Sequence, residues 1–559
     1  MAVRTGRFAM VEQLLADGIR YVFGNPGTNE QAFLDALHEY PQLQYILGLH
    51  EGVAVGVADG YARATQKPAV VQLHSGVGLA NGTSLLYQAK RGHTPLVVIA
   101  CEAGLRYDAL DAQMAADLVA MAEPVTKWAA RVVDPSSLLR VLRRAIKIAA
   151  TPPMGPVFVS LPMDILDAPN DEAVVPTSFP VTRTTPEPDL ITRTAELLAP
   201  ANRPLIIVGD GVTTSSAQPE LTRVAELLGA EVWGANSSEV NMSAGHPLFR
   251  GLLGHMFGDH SRAITSRADA VLICGTYVFP EVFPALSGVF ALDAPVVHID
   301  LNAYEIAKNF PVALGLVSDP KATLARLADE LETTMTQRQR MAALERIVKI
   351  GDAKERELAA QIEADCVVRD AVPLRASRFM AELAAHLSED AIIFDEALTA
   401  SPDLCRYLRP NHPGHYFQTR GGSLGDGIPG AIGLKLAHPD KMVWGFTGDG
   451  GSMYTIQALW TAAHHKIGAK FVICNNQSYQ LLKLNILEYW RERNIPRHTF
   501  PESFDLTDPA IRFDELARSM GVEAVRVETP AQIGPAIERA LTHDGPFLID
   551  LIVTNALPV

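Results

Sequence analysis

Two short polar clusters in the C-terminal third of the chain have the makings of a metal–phosphate site. Gly448-Asp449-Gly450-Gly451 is followed, 27 positions after Asp449, by the second asparagine of Asn475-Asn476. A carboxylate and an amide oxygen are hard ligands of the kind Mg²⁺ takes, and that ion fills the rest of its shell with phosphate and water. Gly448, Gly450 and Gly451 let the backbone come close to a phosphate. Ser452 opens a helical pattern whose N-terminus would face the same anion. Alone, the glycine cluster reads as a strand-to-helix turn. The pair at this spacing reads as a diphosphate–Mg²⁺ site.

The elements around the pair would place it. Met442–Phe446 is an apolar run of strand length. From Ser452 to Lys466 apolar residues recur at helical spacing (Met453, Ile456, Leu459, Trp460, Ala463), and Phe471–Cys474 is a second apolar run. Strand, helix and strand in one sheet make a right-handed parallel crossover. Asp449 and Asn476 then sit at the carboxyl ends of neighbouring strands, the edge where open α/β sheets bind ligands.

The same alternation fills the chain. Over residues 1–165, MVEQLLADGI predicts a helix and YVFG a strand; Thr28 or Asn29 could cap the helix EQAFLDALHEY. Strand YILGLHE ends at Glu51 and PAVVQLH at His74; PLVVIACE and GPVFVSLP are two more. Residues 164–189, rich in proline, threonine and acids, read as a linker. A second α/β pattern covers 190–332. Its Gly209-Asp210-Gly211 has no partner asparagines and reads as a turn, or at most a loop facing a nucleotide. Charged residues 333–371 predict a connecting helix, and a third α/β unit spans 373–559. The fold expected is α/β, with three doubly wound parallel-sheet domains.

Bulk properties narrow the partners. The 559 residues carry a net charge of −15, which argues against nucleic acid or an anionic membrane as the main partner. Five cysteines without a paired spacing suggest reduced thiols and a cytoplasmic protein. No apolar run reaches the roughly 18 residues of a membrane span.

Several segments carry a resemblance. FGNPGTNE, LHEGVAVGVADGYA, QLHSGVG, GPVFVSLP, GGSLGDGIPGAIG and the GDG…NN pair follow the order seen in the thiamine-diphosphate-dependent decarboxylase and acetohydroxyacid synthase superfamily. The nearest likeness is to its benzoylformate decarboxylase branch. The resemblance implies pyrimidine-binding (1–165), central (190–332) and diphosphate-binding (373–559) domains. It also implies thiamine diphosphate and Mg²⁺ as cofactors, and an active site shared between two subunits of a dimer or tetramer. Metal ligands would be the Asp449 and Asn476 side chains and the Ser478 carbonyl. Glu51 matches the glutamate that hydrogen-bonds the aminopyrimidine ring, and Leu424 the apolar residue that bends the cofactor. Asn25, Glu396, Leu398, Ser423, Ser452 and Tyr479 complete the cofactor set. His74 matches an active-site histidine able to shuttle protons, and Thr28 a substrate-facing serine.

Two departures stand out. The resembled branch has a second histidine where this chain reads Gly275-Thr276-Tyr277-Val278-Phe279-Pro280-Glu281-Val282-Phe283, without one. After the metal motif comes Asn485-Ile486-Leu487-Glu488-Tyr489-Trp490, where Glu488 could move a proton to or from a substrate hydroxyl. His50, His464 and His465 read as structural or surface groups. The activity implied is carbon–carbon lysis or ligation beside a carbonyl, foremost decarboxylation of a 2-oxo acid. The alternative is a 2-hydroxyacyl-CoA lyase or an acetohydroxyacid-synthase-like ligase.

Overall fold

A computed structural model of the chain describes residues 4–254, 256–278 and 281–557. It contains three six-stranded sheets. The first is built from β1 (Tyr21–Gly24), β2 (Gln44–Leu47), β3 (Ala69–His74), β4 (Leu96–Glu102), β5 (Trp128–Arg131) and β6 (Val157–Pro162), all parallel, in the order β2-β1-β3-β4-β6-β5. The order doubles back at β1 and β3, so Glu51, which follows β2, and His74, which ends β3, come to one edge of the sheet.

The second sheet is also parallel but follows a different strand order: β7 (Pro204–Val208), β8 (Glu231–Gly234), β9 (Phe249–Leu252), β10 (Ala270–Cys274), β11 (Val296–Asp300) and β12 (Leu314–Val317) are ordered β12-β11-β10-β7-β8-β9. Here Asp210 ends a tight turn: it accepts from the Ser238 and Glu239 backbone N–H groups and from the Asn241 amide. A Cβ on Gly211 would lie 2.6 Å from the Gly275 Cα. The turn reading therefore suffices for Gly209-Asp210-Gly211.

In the third region β13 (Ile392–Glu396), β14 (Tyr416–Gln418), β15 (Val443–Gly448), β16 (Lys470–Asn475), β17 (Glu523–Val527) and β18 (Phe547–Ile552) follow in sequence. β13, β15, β16, β18 and β17 lie parallel in that order. β15, β16 and β18 are buried on both faces, which is why they read as apolar runs rather than alternating ones, whereas the edge strand β17 is partly exposed.

The chain divides into two compact units: residues 1–180, 372–401 and 419–559, and residues 181–371 with 402–418. In the first unit, helix Glu51–Thr65 packs on helix Gly427–Ala437. Small residues allow it: a Cβ on Gly433 would lie 2.1 Å from the Val57 carbonyl oxygen. His50 Nδ1 caps the first of these helices by accepting from Gly52 N–H at 3.0 Å. His465 Nε2 accepts from Leu47 N–H at 2.9 Å, and burial pushes its imidazole down to about 4. Both are structural, as expected.

Several details differ from the sequence reading. β2 stops at Leu47, so Glu51 opens a helix instead of ending the strand. The pattern 452–466 is not one helix: a short turn, Asp449–Ser452, is followed by a break and a helix at Ala458–His464. Thr455 at the break donates its hydroxyl to the Gly425 carbonyl at 2.5 Å, a contact from distant sequence that diverts the chain. Helix Gln31–Ala36 is capped by neither Thr28 nor Asn29, because Thr28–Glu30 forms its own 3₁₀ turn. The segment after β6 starts with a helical turn, Met163–Asp167; from there to Pro188 the chain is irregular, and the connecting helix spans Gln337–Val367. No helix among the described residues is long and apolar enough to cross a membrane.

Candidate active site

β15 and β16 deliver the first cluster. Asp449 follows β15 and is 6 % exposed. Its Oδ1 accepts from Gly450 N–H at 2.7 Å and its Oδ2 from Ser478 N–H at 3.3 Å. The same Ser478 N–H donates to Asn476 Oδ1 at 3.0 Å, so one backbone donor ties the two predicted metal-ligating side chains together. Asn476 Nδ2 donates to Gln480 Oε1 at 3.1 Å, which fixes the amide with its oxygen on the Ser478 N–H shared with Asp449. Burial pushes the Asp449 carboxyl up to about 6, while the N–H groups of Gly450, Gln477 and Ser478 pull it back.

Among the described residues no Lys or Arg pairs with Asp449, and no three His, Cys, Asp or Glu converge on a metal-like site. A buried carboxyl held only by N–H groups, beside an amide oxygen, fits a divalent ion that supplies the missing positive charge. The Ser478 carbonyl accepts from Gln480 N–H at 2.8 Å and has a second lone pair to offer. Tyr479 packs on the turn: a Cβ on Gly450 would lie 2.4 Å from its Cε1 atom. Gly448 is the open member of the motif, with nothing within 4 Å of such a Cβ. Gly451 and Ser452 are buried, and Ser452 Oγ donates to the Asp449 carbonyl at 2.7 Å.

The first sheet builds a second cluster. Glu51 opens helix Glu51–Thr65, and its side chain turns inward to 5 % exposure. Oε1 accepts from Asn25 Nδ2 at 3.2 Å and Oε2 from Asn81 Nδ2 at 2.9 Å. Asn25 was expected at the site; Asn81 was not, although a polar residue amid the small apolar ones of Gly76–Thr83 hinted at it. His74 lies alongside. A Cβ on Gly78 would sit 3.0 Å from Glu51 Oε1 and 3.3 Å from His74 Cβ.

His74 has a partner that sequence reasoning missed. Its Nδ1 lies 3.0 Å from Oε2 and 3.3 Å from Oε1 of Glu30, whose side chain is fully buried. Glu30 Oε2 also accepts from Gly27 N–H at 2.9 Å. Burial pushes the Glu30 carboxyl up and the imidazole draws it back. Thr28 is exposed on the turn between them.

The remaining candidates sort by environment. Glu396 is buried, and its carboxylate accepts from the N–H groups of Gly425, Asp426 and Gly427 at 2.7, 3.0 and 2.8 Å and from the Thr447 hydroxyl at 3.0 Å. It holds the loop bearing Ser423 and Leu424, both half-buried. Leu398 has φ +49°, Ser75 beside His74 has +44°, and Gln477 between Asn476 and Ser478 has +53°. These left-handed conformations are costly for non-glycine residues and gather where binding sites form. Glu488 is bonded to Arg491, which holds its carboxyl below the usual range. In the histidine-free stretch 275–283, Phe279 and Pro280 lie outside the described residues.

Residues 4–121 match the N-terminal TPP-binding domain of thiamine pyrophosphate enzymes, 191–327 the central domain, and 399–551 the C-terminal TPP-binding domain. The chain is 31% identical over 556 residues to benzoylformate decarboxylase of Pseudomonas aeruginosa, covering 98% of this chain and 99% of that one. It is 27% identical to acetolactate synthase of Arthrospira platensis, over 99% and 94% of the two chains. Among solved structures, the thiamine diphosphate-dependent 4-hydroxybenzoylformate decarboxylase of Rhodococcus jostii superposes with a TM-score of 0.84 at 27% identity, over 99% of each chain. Alike from end to end and matched in all three parts, this chain belongs to the thiamine pyrophosphate enzyme family.

Proposed function

We propose that this thiamine-diphosphate-dependent carbon–carbon lyase is a Mg²⁺-requiring decarboxylase of aryl 2-oxo acids like benzoylformate. The observation that carries the reading is His74, held by Glu30 and flanking Glu51 at one sheet edge, in a chain aligned throughout with benzoylformate decarboxylase. Asp449, Asn476 and the Ser478 carbonyl would hold Mg²⁺. Gly448, Gly450, Gly451 and Ser452 would line the diphosphate, with Tyr479 against them. Asn25, Glu396, Leu398, Ser423 and Leu424 would shape the rest of the cofactor cleft.

Bound there, thiamine diphosphate supplies a carbon nucleophile that also stores the electron pair released when a bond beside a carbonyl breaks. Glu51 exchanges a proton at its carboxylate, with Asn25 and Asn81 fixing both oxygens. His74 moves a proton at Nε2 and Thr28 offers its hydroxyl to the substrate; Glu488, on helix Gln480–Glu492 and kept ionised by Arg491, would take a proton from a substrate hydroxyl rather than give one. The Glu51 and Asp449 clusters are each held by their own segments, which suits a site completed between two copies. A dimer is then the smallest active unit and a tetramer the expected assembly, with functional domains at 1–165, 190–332 and 373–559 in a cytoplasmic protein.

The histidine-free stretch 275–283 favours a second reading, ligation or 2-hydroxyacyl-CoA lysis. A panel of 2-oxo acids and 2-hydroxyacyl-CoAs, incubated with thiamine diphosphate and Mg²⁺, separates the two. CO₂ and benzaldehyde from benzoylformate support the decarboxylase; aldehyde without CO₂ moves the assignment to the lyase. Glu51→Gln abolishes turnover while cofactor binding persists, and full activity in that variant would remove Glu51 from the mechanism.

A further inference from the structure

We propose that Glu30 is a positioning residue that fixes which ring nitrogen of His74 carries the proton and where the ring points. The proposal rests on the reading of His74 as the substrate-facing histidine. Three observations carry it. Glu30 is completely buried, and its Oε2 already receives the Gly27 N–H, so the remaining acceptor direction faces His74 Nδ1 at 3.0 Å. An oxygen committed as an acceptor calls for Nδ1–H on the ring, leaving Nε2 as the atom that exchanges protons. Gly27 closes the arrangement from the other side, because a Cβ there would lie 2.1 Å from His74 Nδ1. Gly27 and Glu30 of Asn25-Pro26-Gly27-Thr28-Asn29-Glu30 thus form a seat for a histidine 44 residues further along the chain.

Among the described residues, His74 is the cation-forming group that acts on Glu30. Tyr45 and Cys101 feel the Glu30 charge as well, and burial pushes their hydroxyl and thiol up. Tyr45 donates to Gln72 rather than to Glu30. His74 is therefore the proton-bearing side chain that Glu30 engages.

The test uses the full-length chain labelled with ¹⁵N-histidine. Long-range ¹H–¹⁵N spectra report which imidazole nitrogen is protonated, and a His74→Gln spectrum identifies the His74 signals. Wild type shows the neutral ring as the Nδ1–H form. Glu30→Met, similar in size but without an acceptor, moves it toward the Nε2–H form that an unconstrained imidazole prefers. Glu30→Gln, which still accepts, restores Nδ1–H. With thiamine diphosphate, Mg²⁺ and benzoylformate, Glu30→Met lowers kcat about 10–100-fold while cofactor affinity stays unchanged, and Glu30→Gln lies between. A wild-type Nε2–H ring, or His74 signals indifferent to Glu30→Met, overturns the proposal. If the spectra behave as stated and no form of the protein consumes benzoylformate, the positioning holds and the substrate assignment falls. Because the wild-type spectrum already decides the tautomer, a variant that fails to fold does not shelter the idea.

Discussion

Asp449→Asn makes the protein without cofactor more stable and blind to Mg²⁺. In the folded chain the Asp449 carboxyl titrates near 6, against an ordinary 3.8, because burial disfavours its charge. The gap corresponds to about 3 kcal/mol of destabilisation once the group is ionised in the folded state. Asparagine removes the charge and keeps an oxygen for Gly450 N–H, but turns an amide N–H toward Ser478 N–H, which returns about 1 kcal/mol. The net gain of about 2 kcal/mol raises the apparent melting midpoint by a few degrees. The sign has a pH signature. A raised acid contributes most to folding below about pH 3.8 and loses that contribution as pH rises through about 6. The advantage of Asp449→Asn is therefore absent near pH 4 and full above about pH 7. The assay is a thermal melt with chelator, then with Mg²⁺ and thiamine diphosphate. Wild type rises on loading; the variant does not. A variant that melts no higher than wild type in chelator at neutral pH, or that gains as much from Mg²⁺, refutes the reasoning.

Other outcomes follow from the same geometry. Gly450→Ala places a methyl 2.4 Å from the Tyr479 ring and displaces it, so calorimetry should show at least tenfold weaker binding of thiamine diphosphate with Mg²⁺. Asn81→Ala strips the nearer amide from buried Glu51, costing about 1–3 kcal/mol measured by denaturant unfolding. His465 has its proton affinity lowered to about 4 in the folded state, so it binds fewer protons there than when unfolded and stability falls as pH drops below about 6.5. His465→Gln flattens that slope by about 2 kcal/mol in melts between about pH 7 and 4.5.

Local pattern carried a large part of the architecture. The apolar runs ending at His74 and Asn475 appear as strands because both faces are covered, and a parallel sheet writes itself as uninterrupted hydrophobic sequence. The glycine-rich turn and the asparagine pair met because a crossover puts successive strand ends side by side. Contacts that depend on the meeting of distant segments left no such trace. Thr455 breaks a helical pattern by reaching Gly425, thirty positions back, and the periodicity of 452–466 has no way to show it. Glu30 looks like a helix-entry acid until β3 brings His74 to it. Asn81 shows only as a polar residue in a small-residue helix. Glu396 carries a family likeness to a cofactor residue, yet its carboxylate is occupied by the loop 425–427, a use that only three-dimensional proximity discloses.

The left-handed backbones of Ser75, Leu398 and Gln477 bear on any effort to harden this enzyme against heat. Glycine at each would relieve a cost of about 1 kcal/mol or more, and a stability screen would pick those changes early. The same changes would loosen the backbone beside His74, at the end of the Glu396 strand and between Asn476 and Ser478. Heat tolerance gained at these three positions should be accompanied by slower turnover, whereas gains sought on the solvent-facing helix Gln337–Val367 carry no such trade.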